Sequence, residues 1–175
     1  MKQTIRKFVL ALAAVTVSCA PMLANNGAPK PLAERVRHEL AMLPYFSIFD
    51  DVSFRVDGTT VYLSGDVRQP VLKSDAESAV KHTEGVTQVV DNIQVLPLSP
   101  FDNRIRMAEF QAVFGYSDLY RYAMGTSPSV RIIVANGHVR LLGFVANQGD
   151  KKMAGIRANG VPGVFAVEND LQVAN

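Results

Sequence analysis

Val61-Tyr62-Leu63-Ser64-Gly65-Asp66-Val67 decides the architecture, because the same pattern returns 78 residues later as Val139-Arg140-Leu141-Leu142-Gly143-Phe144-Val145. The register then holds to the end of the chain without a gap. Lys73 falls on Lys151, Ala76 on Ala154, Gly85-Val86 on Gly163-Val164, Val89 on Val167, and Gln94-Val95 on Gln172-Val173. Self-similarity at one fixed offset marks two copies of one structural unit. Alternating apolar residues with an internal glycine read as a strand, and Val52, Phe54 and Val56 alternate in the same way just upstream. Asp57-Gly58 between them predicts a tight hairpin.

Outward from the hairpin, Leu32, Val36, Leu40 and Leu43 recur at helical spacing with Glu34, Arg35, Arg37 and Glu39 between them, and Pro44 ends the pattern. Pro70 suits a helix's first turn, Leu72, Ala76, Ala79 and Val80 form an apolar stripe, and Gly85 is a left-handed stop before a last strand over Val86, Val89, Ile93 and Val95. The order helix, strand, strand, helix, strand requires a right-handed crossover between the last two strands. The expected fold class is therefore α+β: two αββαβ modules, each a three-stranded mixed sheet with both helices on one face. At roughly seventy residues each, such modules are marginal alone and lean on each other.

Leu96-Pro97-Leu98-Ser99-Pro100 offers neither strand nor easy helix start, since each proline lacks an amide donor and restricts its predecessor. The reading divides the chain into a first domain over 32–96, a linker over 97–101 and a second domain over 102–175. The second copy opens differently. Ile105, Ala108, Phe110 and Val113 suit a helix, Gly115 interrupts it, and Ser117 is placed to cap a further short helix carrying Leu119, Tyr120 and Tyr122. Val130 to Val134, the turn Asn136-Gly137 and Val139 to Val145 restore the hairpin.

Lys2, Arg6 and Lys7, the apolar run Phe8 to Val17 and small residues up to Ala24 form the three regions of a secretory signal peptide over 1–24, followed by a mature segment over 25–31. A core of about ten residues is roughly half of the ~20 that cross a bilayer. A cut after Ala24 leaves Met22 at −3, and one after Ala20 puts Pro21 next to the scissile bond. Val17-Ser18-Cys19 resembles the end of a lipoprotein processing box, with Thr16 off pattern, which makes Cys19 a candidate lipidation site. The expected location is the periplasm, with an outer-membrane lipid anchor through Cys19 as the alternative. Of 18 Lys+Arg, the three cations above leave with the signal, so 15 face 16 Asp+Glu and the mature net charge is −1. No concentrated cationic face for nucleic acid is expected.

The pattern of apolar strand, glycine turn, Val-x-Leu-x-Gly-x-Val, helix, Gly-Val and a strand with an Asn-x-(Leu/Ile)-like element resembles a tandem BON-domain protein. The second copy is similar to family members at Ile132 to Val139 and Ala154 to Phe165. The resemblance implies the αββαβ fold, an envelope location, and binding of phospholipid or an envelope protein partner in support of membrane integrity or stress tolerance. A periplasmic holdase-type chaperone for osmotic or envelope stress is the alternative it implies. It implies no catalytic residues.

The residues themselves point away from catalysis. Ser78-Ala79-Val80-Lys81 matches the Ser-x-x-Lys of cell-wall acyl-transferases, but no Ser-Asp-Asn or Lys-Thr-Gly accompanies it. His38, His82 and His138 fall one per element, away from ligand spacing. Asp50-Asp51 reads as a turn pair, and Gly155, Gly160 and Gly163 close a helix instead of cradling phosphate. No enzyme activity, catalytic set, cofactor, metal or small-molecule substrate is expected. The candidate interaction surface is Phe114, Tyr116, Tyr120, Arg121 and Tyr122, since Tyr and Arg are favoured at binding hot spots. The competing reading is that Phe114 and Leu119 complete the second core and the tyrosines cover it.

Overall fold

The computed structural model describes residues 30–115, 118–125 and 128–174. Helix α1 (Leu32–Ala41) precedes β1 (Asp51–Asp57), β2 (Thr60–Val67), α2 (Pro70–Lys81) and β3 (Gln88–Val95). The second module runs through α3 (Pro100–Phe114), a 3₁₀ helix (Asp118–Ala123), β4 (Val130–Ala135), β5 (His138–Val145), α4 (Gln148–Asn159), β6 (Ala166–Asn169) and β7 (Gln172–Val173). The first sheet has the order β1-β2-β3, with β1 antiparallel and β3 parallel to β2. The second has the order β4-β5-β6, and β7 continues along β5 as the second half of a broken third strand. This is the expected α+β pair of mixed sheets.

The 78-residue offset is a register in space as well as in sequence. Val52 opposes Gly65 and Val130 opposes Gly143; Val61 pairs with Val89 and Val139 with Val167; Val67 pairs with Val95 and Val145 with Val173. The shared glycine has a steric reason. Gly65 and Gly143 hold φ of +129° and +112°, and a Cβ on either would collide with a carbonyl oxygen of the facing strand, Asp51 in one copy and Ser129 in the other. In the second hairpin Asn136 and Gly137 both take positive φ, the arrangement a two-residue turn of matching twist needs.

Each sheet buries one face under its helices. In the first module Val36, Leu40, Leu72, Ala76 and Val80 from the helices meet Val61, Leu63, Val67 and Ile93 from the strands. In the second, Ile105, Val113, Phe114, Ala154 and Ala158 meet Ile132, Val134, Val139, Leu141 and Leu171. One start differs from expectation. α3 begins at Pro100, inside the stretch read as linker over 97–101, because a proline at the first helical position loses no needed donor and the Ser99 hydroxyl accepts from Asp102 N at 3.1 Å.

The turn before β1 joins the modules. Ile48 belongs to the first copy in sequence but packs in the second core, and its carbonyl accepts from Ile132 N at 2.8 Å on the outer edge of β4. Phe49 meets Phe110 of α3 edge-on at 6.4 Å, and Arg131 lies over Phe46 at 4.9 Å. Asp50, read from the sequence as a turn residue at the surface, is fully buried. Its carboxylate accepts from Arg68 N at 2.7 Å, from Ser47 N at 3.1 Å and from the Ser47 hydroxyl. A buried carboxylate survives because each oxygen is hydrogen-bonded and Arg68 stands 3.8 Å away. Arg140 of β5 reaches Asp66 of β2 at 2.5 Å, a second tie between modules. Ile48→Ala is expected to lower stability by about 2–4 kcal/mol. The loss should appear in hydrogen exchange at Ile132 and Leu141 amides; protection changing only within residues 32–96 would contradict the joint core.

Candidate interaction surface

Of the five residues singled out in sequence, Tyr120, Arg121 and Tyr122 lie on the 3₁₀ helix and are split by its geometry, while Phe114 ends α3. At three residues per turn, Leu119 and Tyr122 share a face and point into the second core, while Tyr120 and Arg121 turn outward. Tyr120 is 54% exposed. Phe114 is buried at the end of α3, packed on Phe110 at 5.5 Å. Phe114 and Tyr122 are therefore core residues, a correction to the surface expected of them. Tyr116 lies outside the described residues, as do Ser117 and Cys19. Tyr120 and one edge of Phe114 still meet in a shallow groove of about 480 Å³ with Phe110, Gln111 and Gly115.

Arg121 and Tyr122 serve another end of the module. The Tyr122 hydroxyl donates to Asp150 Oδ2 at 2.5 Å and accepts from Ala146 N at 2.8 Å, and Arg121 reaches the same carboxylate at 2.5 Å. Asn147 caps α4 by accepting from Asp150 N at 2.9 Å. The hydrogen bond from Tyr122, joined by Arg121, holds the Asp150 carboxyl below its ordinary value.

Sequence reasoning missed a second exposed aromatic group. Phe165, 74% exposed, packs against His138 at 6.1 Å and Phe101 at 6.5 Å, and the Arg104 guanidinium lies 5.7 Å over Phe101. Beside it a cleft of about 390 Å³ opens between the modules. Its floor is the face of the second sheet that carries no helix, with Ile133, Ala135, His138, Arg140, Ala166 and Glu168, and its wall is Asp66 and Leu96 of the first module. The available signal was the strict alternation in β5: if Val139 and Leu141 face the core, His138 and Arg140 must share the opposite face.

Of the residues tested for catalysis, His38 and His82 line one groove between α1 and α2, and Ser78 and Lys81 line another with His82. Ser78 and Lys81 are exposed near the end of α2, where the Ser78 carbonyl meets His82 Nδ1 at 2.7 Å. His38 is on α1 and His138 on β5. Among the described residues no three His, Cys, Asp or Glu side chains group to hold a metal.

A BON domain model matches residues 30–97 and 121–175, most of the chain and both modules. The chain belongs to the BON-domain family. Osmotically-inducible protein Y of Escherichia coli (strain K12) is 30% identical over 133 residues, which cover 70% of this chain and 61% of that protein. Among solved structures, CdsD, a structural protein of the type III secretion system of Chlamydia trachomatis, aligns at 14% identity over 82% of this chain and 93% of its own, with a TM-score of 0.32. The CdsD C-terminal domain aligns at 14% identity over 85% of this chain and all of its own, with a TM-score of 0.31. No helix among the described residues of this BON protein is long and apolar enough to cross a membrane.

One buried group lies outside both exposed surfaces. Glu109 of α3 is fully buried in the second BON module, neither carboxyl oxygen has a hydrogen-bond partner among the described residues, and burial pushes its pKa up to about 8. The folded module thus holds a proton that the unfolded chain releases near the ordinary 4.5. Stability is full below that value and falls as pH rises toward about 8. Glu109→Gln is expected to flatten this fall, read from denaturant midpoints between pH 5 and 9; an unchanged slope would contradict the assignment. Tyr122→Phe should lower stability by about 1–3 kcal/mol, because it strips the Ala146 amide and Asp150 of a partner. Tyr120→Ser should leave the melting temperature nearly unchanged, and calorimetry on the pair separates core from surface.

Proposed function

We propose that this BON protein is an exported binding module of the cell envelope, periplasmic or tethered to the outer membrane through an acylated Cys19. It docks on a phospholipid surface or an envelope protein and supports envelope integrity, in keeping with the osmotic induction named for its Escherichia coli relative. The signal-like residues 1–24 support export. The observation that carries the binding role is a set of exposed aromatic rings, one of them paired with a cation: Phe101 under Arg104 with Phe165 next to it, and Tyr120 on the 3₁₀ helix. Rings that are apolar in body and flanked by positive charge suit a wet, anionic boundary. Two linked modules raise avidity without new contacts.

Holdase activity is a second reading, favoured by a separate observation. Met42, Met107, Met124 and Met153 are all exposed, and flexible thioether side chains adapt to varied apolar clients. Retention of the mature protein on phosphatidylglycerol-containing liposomes or on outer-membrane fractions tests the first reading. Retention is expected, and Tyr116→Ser with Tyr120→Ser should weaken it without unfolding the protein. Failure of both supports to retain the protein would overturn the docking reading, and suppression of aggregation of several unrelated unfolded proteins in that case would establish the second.

A further inference from the structure

Of the four outer sheet edges, three are closed at an outward-facing residue. On β3 the Ile93 amide donates to Asp91 Oδ1 at 2.9 Å, and the Ile93 carbonyl accepts from Lys73 Nζ at 2.6 Å. The far edge of the second sheet repeats the device, with Leu171 N donating to Asn169 Oδ1 at 3.4 Å. On β4 the outward amide of Ile132 donates to Ile48 O at 2.8 Å. Such closures keep a native edge from recruiting another chain. The outer edge of β1 has none: among the described residues no strand, loop or side chain bonds to the Phe54 amide from outside the sheet. Phe54 is the counterpart of Ile132, 78 residues earlier. The register gives its amide the same direction, because Asp57 with Thr60 closes the two-residue turn, so that Ser53 and Arg55 bond to β2 while Phe54 and Val56 face away.

The second module shows what such an edge takes: Ile48 offers its carbonyl to the edge amide and its side chain to the core beside it. At β1 both receptors stand open. Next to the Phe54 amide runs a groove of about 140 Å³, lined by Arg37, Leu40 and Ala41 of α1 with Phe46, Val52 and Phe54, and ending where Asp51 and Arg131 oppose each other. That volume suits one apolar side chain and falls short of the roughly 300–1,000 Å³ of a small-molecule pocket. Arg37 lies 5.8 Å over the Phe54 ring and has no ion pair among the described residues. The open charge is therefore positive. Alternate residues of an extended chain share a face, so a segment that sets an apolar side chain in the groove carries its residues two before and two after toward the face where Arg37 stands. An anionic headgroup would also be drawn to Arg37, but it would leave the apolar slot unfilled.

We infer that an extended polypeptide segment adds to the outer edge of β1, bonding its main chain at Phe54 and setting an apolar side chain in the groove beside α1 and an acidic one at Arg37. The inference rests on the protein-partner form of the function proposed above. Its probe is the heptapeptide Thr-Glu-Val-Leu-Val-Glu-Thr with blocked ends, whose symmetric pattern puts the leucine and both glutamates on one face in either direction. Titrated into the mature chain and followed by amide NMR shifts, it should bind saturably, with shifts at Val52 to Asp57 and at Arg37, Leu40 and Ala41. Methylating the peptide's leucine amide removes a bond to the edge if the segment runs antiparallel, and methylating the amide of the valine after it does so if the segment runs parallel. One of the two should weaken binding about tenfold, with the protein itself unchanged. Arg37→Glu should weaken binding about two- to fivefold, and a peptide with lysine in place of both glutamates should prefer that variant to the wild type. Melting curves confirm that the variant folds; if it does not, Arg37→Gln takes its place. Absence of saturable binding, equal binding by the parent and both methylated peptides, indifference to the Arg37 substitution, or shifts at Gln88 to Val95 or at Tyr120 instead would overturn the inference. Capture by phosphatidylglycerol vesicles that depends on Arg37, without peptide binding, would overturn it in favour of a headgroup. Vesicle or outer-membrane retention unaffected by Arg37→Glu, with no peptide binding, overturns the strand site and leaves the docking function standing.

Discussion

The carboxylate of Asp50, buried between two modules and bonded on both oxygens, fixes the turn on which the tandem arrangement depends. It closes that turn on Ser47 and fastens it to the amide of Arg68, at the far end of the hairpin's second strand. Ile48 and Phe49 then have one direction available, into the second core and onto Phe110. A domain of this size buries only about 60% of the surface its unfolded chain exposes, so a shared core is a means of reaching adequate stability. The charged groups around the junction, Asp51 with Arg131 and Arg140 and Asp66, are arranged in alternating sign. Burial pushes the Asp51 carboxyl up, and the two arginines pull it back.

Much of this fold is legible in the sequence because two strong signals agree. The Val-x-Leu-x-Gly-x-Val string shows period two, the flanking segments show helical spacing, and the repeat carries both readings from one copy to the other. The glycine in the string is readable as well, since only a residue without Cβ fits opposite Asp51 and Ser129. The failures have a common cause. Asp50 looks like any turn acid until the second module is packed over it, and Pro100 looks like a breaker until Ser99 is seen capping the helix. The segment after Gly115 reads as a short helix carrying both tyrosines on the surface, but it winds at three residues per turn instead of an α-helix's 3.6, which buries Tyr122 with Leu119 and leaves Tyr120 outside. Nothing local in sequence distinguishes these two windings over six residues.

The candidate site is less legible than the fold for a related reason. Surfaces arise where elements distant in sequence end up adjacent, as Phe101 and Phe165 do, and no periodicity within either element announces the meeting. What can be read is which face a strand residue must occupy once its neighbours are assigned to the core. His138 and Arg140 were assignable in this way, and the helix-free face they share became the cleft floor when the first module's Asp66 and Leu96 closed over one side.

The two helix-free sheet faces differ in a way that governs assembly. Ile133 and Arg140 oppose each other across β4 and β5, and their counterparts 78 residues earlier are Arg55 and Tyr62, opposed across β1 and β2. In the second copy this position lies on the floor of the cleft walled by Asp66 and Leu96 of the first module; in the first copy the Arg55 guanidinium lies 4.3 Å over the Tyr62 ring and pairs with Asp57 at a solvated surface. A head-to-tail contact between unlike faces does not close on itself, and repeated between molecules it would grow an open filament. The charged, stacked pair on the first copy leaves that position polar where its counterpart in the second copy is the apolar Ile133.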